Sequence, residues 1–189
     1  KNVDILSGFG EMSHYFYLSK KENFIFFVKK LNNFIAHKDL DVDDLIRLSL
    51  KIKKYYIEKD EFEKNIRIFL NYGHSFGHAI ESLTDFKIPH GIAISYGLQI
   101  ANFVSYKLGF LSKKNFLEFN MPLSLISRNF KIDKFNTKKI ISLLKKDKKS
   151  INGKIRVILI KKIGGPFIKE FNDTKILSDY LIEFKINHL

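Results

Sequence analysis

Three of the chain's six histidines, His74, His78 and His90, fall within 17 residues, in the stretch LNYGHSFGHAIESLTDFKIPHG, and each stands beside a glycine. Neutral imidazole is a metal ligand, and the same ring trades a proton near neutral pH. His74 and His78 lie four apart, so a helix projects both from one face. The chain has no cysteine. A metal here has only imidazole and oxygen ligands, a set that suits Zn2+ held by histidines and a carboxylate with one position open for substrate. Spacing by itself selects His74 and His78 as the pair and leaves the carboxylate open among 20. The glycines at 73, 77 and 91 remove bulk from beside each ring, as a closely approaching ligand or backbone requires. A lone helical histidine is more often a packed core residue; three with this punctuation point to a metal or catalytic site.

A second constellation runs into the first. Glu63, Arg67, Asn71, His74 and His78 follow at intervals of four, four, three and four. They form one ridge if a single helix carries them, and the converging ends of two helices if Gly73 breaks it. Isolated Glu–Arg pairs usually mark a solvated face. This ridge leads straight to the histidines, which places polar groups toward a shared cavity where an arginine clasps a carboxylate or phosphate with two parallel hydrogen bonds.

The elements that must carry these residues are mostly helical. Apolar positions recur at helical spacing over Glu11–Ser19, Lys21–His37 and Asp41–Glu58, the last with Asp41 as N-cap. Asp60–Phe69 is a charged short helix or turn. His74–Leu83 and His90–Leu108 follow, with Pro89 at the entry of the second and Gly109 at its exit. Lys113–Phe130 is a helical stretch interrupted by Pro122, and Thr137–Lys146 is a further helix. The period then changes. KIRVILIKK (Lys154–Lys162) is β-rich, preceded by Asn152-Gly153 and followed by Gly164-Gly165-Pro166, so Pro166–Phe171 returns as its partner in a hairpin. Asp173–Phe184 closes as a helix. The class is mainly α with a small hairpin near the C-terminus, and residues 1–189 read as one helical metal- and substrate-binding domain.

Composition narrows the functional classes. With 45% hydrophobic and 28% charged residues the chain carries a core and is not disordered. No apolar run is long enough for a membrane span, and the first residues lack a signal-peptide pattern. A net charge of +13 invites a nucleic-acid reading. The lysines, however, scatter along the whole chain and accompany heavy use of Asn, Ile, Phe and Tyr, which marks compositional bias rather than a nucleic-acid surface.

The residues also resemble a known family. RIFLNYGHSFGHAIE followed by HGIAISYGLQIA is similar to the C-terminal domain of the 3-dehydroquinate synthases, within the sugar-phosphate cyclases. LSGFGEM (Leu6–Met12), Lys53 with DEFEKNIR (Asp60–Arg67), and DKKSINGKIRVILIKKIG (Asp147–Gly164) resemble flanking segments of the same family. The resemblance implies Zn2+ (or Co2+) held by Glu11, His74 and His90, with His78 on the substrate side. It implies substrate and catalytic roles for Lys53, Glu63, Arg67, Asn71 and His78, and a phosphate contact from Lys148 or Lys149. The implied reaction is an NAD+-dependent conversion of 3-deoxy-D-arabino-heptulosonate 7-phosphate to 3-dehydroquinate and phosphate, in the shikimate route to chorismate and the aromatic amino acids. A cytoplasmic homodimer is implied as well, acting on an anionic sugar phosphate, with no nucleic acid and no membrane as partner.

The chain departs from the family pattern in three places. His14 stands where many members have a lysine, and Ile92 replaces the glutamate of the HGEA motif. No glycine-rich dinucleotide loop occurs among the 189 residues, so the family's N-terminal NAD-binding domain is not expected within them. The chain is therefore expected to be a fragment, or half of a split enzyme, inactive by itself and binding zinc weakly or not at all without its partner domain. Two other readings compete: a related cyclase or metal-dependent polyol dehydrogenase, and a non-catalytic basic helical module. The last requires Glu11 to lie more than about 8 Å from His74 and His90, since ligand distances to zinc are about 2 Å.

Overall fold

The periodic apolar stretches of the sequence form helices, and one of them is buried almost along its whole length. The computed structural model describes residues 2–37, 41–133, 135–146 and 154–188. Within them the elements run α1 (Asn2–Tyr17), α2 (Lys21–His37), α3 (Asp43–Lys59), a 3-10 helix (Ile66–Asn71), α4 (His74–Leu83), α5 (His90–Lys107), α6 (Lys113–Ser127), α7 (Thr137–Lys146), strands β1 (Ile155–Ile160) and β2 (Pro166–Phe171), and α8 (Thr174–His188). Every residue of α5 from Gly91 to Ser105 is buried. A helix apolar on all sides has no solvent face and belongs at the centre. Helices α1, α4, α6 and α8 and strand β1 pack around it.

Glycines set how closely the central helices meet. A Cβ on Gly91 would stand 1.7 Å from the Ser7 carbonyl oxygen, and one on Gly10 would stand 2.0 Å from the Gly91 oxygen. A Cβ on Gly97 would stand 2.0 Å from the Gly73 oxygen. Backbone therefore touches backbone where α1 and α4 cross α5. Gly73 has a second reason to be glycine: its φ of 81° lies in the left-handed region, where it breaks the chain between the 3-10 helix and α4.

Several sequence expectations are corrected. Helix α1 begins at Asn2, not near Glu11, because Gly8 and Gly10 blur the apolar period without ending the helix. Asp41 does not cap α3. Val42 occupies that position with no side-chain cap, and the Asp41 carboxylate instead accepts from Lys30 Nζ at 2.7 Å. Pro122 does not interrupt α6 but sits inside it, buried. It removes one rung of the hydrogen-bond ladder, and the nearby Phe119 carbonyl accepts from the Tyr17 hydroxyl. Residues 61–65 are a turn rather than a helix, since the Asp60 carboxylate accepts the backbone N–H groups of Lys64, Asn65 and Arg67.

The hairpin pairs Ile155 with Phe171 through Ile160 with Pro166, antiparallel. Gly164 turns it with φ 73°, and its N–H donates to the Tyr17 carbonyl at 2.9 Å. The Asn152-Gly153 turn, Lys148 and Lys149 lie outside the described residues. No helix among the described residues is long and apolar enough to cross a membrane.

The glycine contacts generate a paired prediction. Gly97→Ala forces α4 from α5 and should destabilise by about 1–3 kcal/mol or more. Gly8→Ala meets nothing within 4 Å and should stabilise by up to about 1 kcal/mol through helix propensity. Thermal unfolding of both variants checks the contrast; equal shifts would contradict it.

Candidate metal centre

His74 is the first residue of α4 and His90 the first of α5, while Glu11 lies in the middle of α1. Their meeting follows from the backbone contacts, because Glu11 follows Gly10 and His90 precedes Gly91. The Glu11 Oε2 atom stands 3.2 Å from His90 Nε2 and 3.6 Å from His74 Nε2. One ligand atom from each of the three lies within 4.8 Å of the others. Ligand atoms about 2 Å from a single tetrahedral ion stand about 3.3 Å apart; the two Glu11 contacts match that separation, and the three groups lie close enough to enclose a small divalent cation.

The hydrogen bonding points the same way. Glu11 Oε2 is buried and accepts no hydrogen bond, although two imidazole nitrogens face it. A buried carboxylate oxygen without a partner is costly. A positive charge between it and the two nitrogen lone pairs satisfies all three atoms at once, and the donor set of one oxygen and two nitrogens suits Zn2+.

Burial alone pushes the Glu11 carboxyl up. The imidazoles of His74, His14 and His90 outweigh it and hold the group at about 2. At 3.6 Å the His74 contact is too long for a strong hydrogen bond.

Two more histidines border the set. His14, one turn along α1 from Glu11, is buried with its ring edge-on to His74 at 4.8 Å between centroids, and its Nδ1 has no partner. Burial, then repulsion from His74 and Lys53, lowers it to about 3, so it is neutral. His78 is exposed, with ring centroids 5.6 Å from His74 and 5.9 Å from His90. A second set of possible ligands, His78, Glu81 and His90, shares His90 with the first. Among the described residues neither set contains both His74 and His78, the pair that spacing alone selects.

The remaining predicted residues fall in two groups. Glu63 and Asn71 are joined, Asn71 Nδ2 donating to Glu63 Oε1 at 2.8 Å, and Glu63 is held at φ 55° in the turn that Asp60 shapes. The ridge of five is thus divided, with Glu63 in the turn, Arg67 and Asn71 in the 3-10 helix, and His74 and His78 in α4 beyond the break at Gly73. Arg67 donates to the Glu61 carbonyl within that turn. Lys53 is exposed on α3, close enough for its charge to be felt at His14. Sequence reading missed Glu81, although its spacing of seven and three from His74 and His78 places it on their helical face. It also missed Asp60 as the residue that shapes the turn.

Comparison with known proteins adds a family context. Residues 8–150 match the family described as 3-dehydroquinate synthase C-terminal. A 3-dehydroquinate synthase of Dictyoglomus thermophilum is 37% identical over 161 residues, 84% of this chain and 44% of the relative. A bifunctional 3-dehydroquinate synthase/phosphatase of Fusobacterium nucleatum is 32% identical over 185 residues, 94% of this chain and 28% of the relative. Among solved structures, 2-epi-5-epi-valiolone synthase of Streptomyces hygroscopicus with NAD+ and Zn2+ bound superposes with a TM-score of 0.80 at 13% identity, over 96% of this chain and 51% of that one. A 2-deoxy-scyllo-inosose synthase complexed with carbaglucose-6-phosphate, NAD+ and Co2+ gives 0.73 at 18%, over 95% and 51%. The chain spans about half the length of the curated 3-dehydroquinate synthases from the two Dictyoglomus species that it matches.

The buried His14 sets a pH dependence in the metal-free chain. The ring's ordinary value of 6.5 falls to about 3 on folding. Between these limits the unfolded chain binds a proton that the folded chain does not, so stability falls as pH is lowered through the window. Glu11, lowered from 4.5 to about 2, acts in the same sense only below 4.5. Between pH 6.5 and 4.5 the wild type should therefore lose up to about 1.4 kcal/mol per pH unit more than His14→Phe. Chemical denaturation at several pH values in the presence of chelator tests this, and parallel profiles would refute it.

Proposed function

We propose, from the premise that this chain belongs to the 3-dehydroquinate synthase family, that it is the metal- and substrate-binding half of an enzyme converting 3-deoxy-D-arabino-heptulosonate 7-phosphate to 3-dehydroquinate and phosphate. The observation that carries the proposal is the convergence of Glu11 with His74 and His90 across 63 and 79 positions of sequence. In this reading Glu11, His74 and His90 hold Zn2+ or Co2+, which supplies Lewis acidity to hydroxyl groups of the substrate. NAD+, held by an N-terminal domain as the partner of this one, supplies a transient hydride acceptor. The related cyclase structures with NAD+ and Co2+ or Zn2+ support both assignments.

The chain's own residues then bind and orient. Arg67 and Lys53 suit the substrate carboxylate, as a planar two-donor fork and as a point charge. His78 and Asn71 suit the phosphate, with Lys148 or Lys149 from outside the described residues. Glu63, hydrogen-bonded to Asn71, fixes which way that amide presents its donor. His14, neutral and shielded from water, backs His74 rather than adding charge. The first turns of α4 and α5 carry backbone N–H groups with no intrahelical acceptor, which favours an anion beside the imidazoles. A cytoplasmic homodimer belongs to the same proposal.

The test joins this chain to the NAD-binding half of a relative and measures phosphate release with NAD+ and Zn2+ or Co2+. Phosphate release from the heptulosonate phosphate with no net formation of NADH is expected; net NADH formation from a glycerol phosphate, with its phosphate ester intact, would mark a polyol dehydrogenase instead. Glu11→Gln, His74→Ala and His90→Ala should each lower the rate by about 100-fold or more. Full activity in Glu11→Gln would overturn the assignment.

A further inference from the structure

His90 stands between two carboxylates. Its Nε2 faces Glu11 Oε2 at 3.2 Å, and its Nδ1 faces Glu81 Oε1 at 3.0 Å. The two contacts are not equivalent. The Glu81 contact has hydrogen-bond geometry, while Glu11 Oε2 has no hydrogen-bond partner. A neutral imidazole has one donor nitrogen and one acceptor nitrogen, and an ionised carboxylate only accepts. The proton therefore belongs on Nδ1, directed at Glu81, and the lone pair on Nε2, directed at Glu11.

Glu81 is built to hold that position. Its side chain is 12% exposed, against 46% for His90. It sits near the end of α4, whose packing on α5 is fixed by the glycine contacts. Its backbone carbonyl accepts from Phe86 N at 2.9 Å and Thr84 N at 3.2 Å, closing the turn that leads to Pro89 and His90. One residue thus anchors the connection between the helices through its backbone and the first ring of α5 through its carboxylate. We propose that Glu81 is a positioning residue that keeps His90 in its Nδ1–H form, with Nε2 presented toward Glu11 for a divalent cation.

The cation part of this inference rests on the proposed metal site; the orientation of His90 does not. Two measurements on the chain separate them. In the metal-free protein, nitrogen NMR of the histidine rings at a pH where His90 is neutral should find the proton on Nδ1. Glu81→Ala should move it to Nε2, where Glu11 accepts it, and the isosteric Glu81→Gln should keep it on Nδ1 through the amide oxygen. In a cobalt titration, Glu81→Ala should weaken Co2+ binding by about 10- to 100-fold and Glu81→Gln by less.

A proton on Nε2 in the wild type overturns the proposal, as does a Glu81→Ala variant unchanged in both measurements. Two bound Co2+ ions, one lost on Glu81→Ala and on His78→Ala, would make Glu81 a ligand of a second cation and likewise overturn it. If no Co2+ binds even when the chain is joined to the NAD-binding half of a relative, while the Nδ1 proton still depends on Glu81, the positioning role stands and the proposed metal site fails.

Discussion

Direct contact between helix backbones is the constraint on which the arrangement depends. Gly10 meets Gly91 and Gly73 meets Gly97 with no room for a single added carbon. In sequence the glycines adjoin the polar residues: Gly10 precedes Glu11, Gly73 precedes His74, and Gly91 follows His90. The points of closest helix approach are therefore also the points where the carboxylate and the imidazoles are delivered. Glycine within a helix costs about 0.5–1 kcal/mol relative to alanine. Burial of α5 among apolar neighbours offsets this readily, at roughly 1.5–3 kcal/mol for each large side chain such as Ile94, Leu98, Ile100 or Phe103.

That geometry creates an electrostatic demand which the protein's own groups leave unmet. Four imidazoles and two carboxylates crowd one end of the bundle, yet Glu11 Oε2 and His14 Nδ1 are buried without hydrogen-bond partners. Glu81 accepts the Nδ1 proton of His90 and thereby turns a lone pair toward Glu11. Two acceptors face each other until a positive charge comes between them. His14 does not provide it, because burial and the neighbouring His74 keep that ring neutral. A cation from solution is the occupant proposed for this place.

Much of this was legible from spacing. Apolar periods located every major helix, and the shift to β-branched residues located the hairpin. The errors have specific physical causes. Gly8 and Gly10 disguised the first half of α1, since the sequence does not reveal that a glycine in helix serves contact with another helix. Pro122 reads as a break, but the helix runs through it and gives up only the one bond that the ring nitrogen cannot donate. The glycines beside the histidines were correctly read as marking close approach, and what approaches is another helix. Helical spacing alone chose His74 and His78. The third member, His90, and the carboxylate at Glu11 come from other helices, so no local period connects them; only the resemblance to a family supplied them.

The two parts of the candidate site are held by different physics. Glu11, His74 and His90 are set by rigid helix contacts, whereas Glu63 and Arg67 are set by a turn with a single organising group. The Asp60 carboxylate, itself buried, accepts three backbone N–H groups, from Lys64, Asn65 and Arg67. Its hold keeps Glu63 in a left-handed conformation that costs a non-glycine residue about 1–2 kcal/mol. Three charge-assisted hydrogen bonds converging on one carboxylate hold the turn against that cost. The Glu63–Asn71 hydrogen bond then ties the turn to the end of the 3-10 helix, one residue short of the Tyr72–Gly73 step into α4. A cation site demands fixed ligand distances and is built on helices. The anion contact proposed for Arg67 tolerates more variation in how a cationic side chain reaches its partner, and a turn stabilised by one carboxylate would be sufficient to carry it.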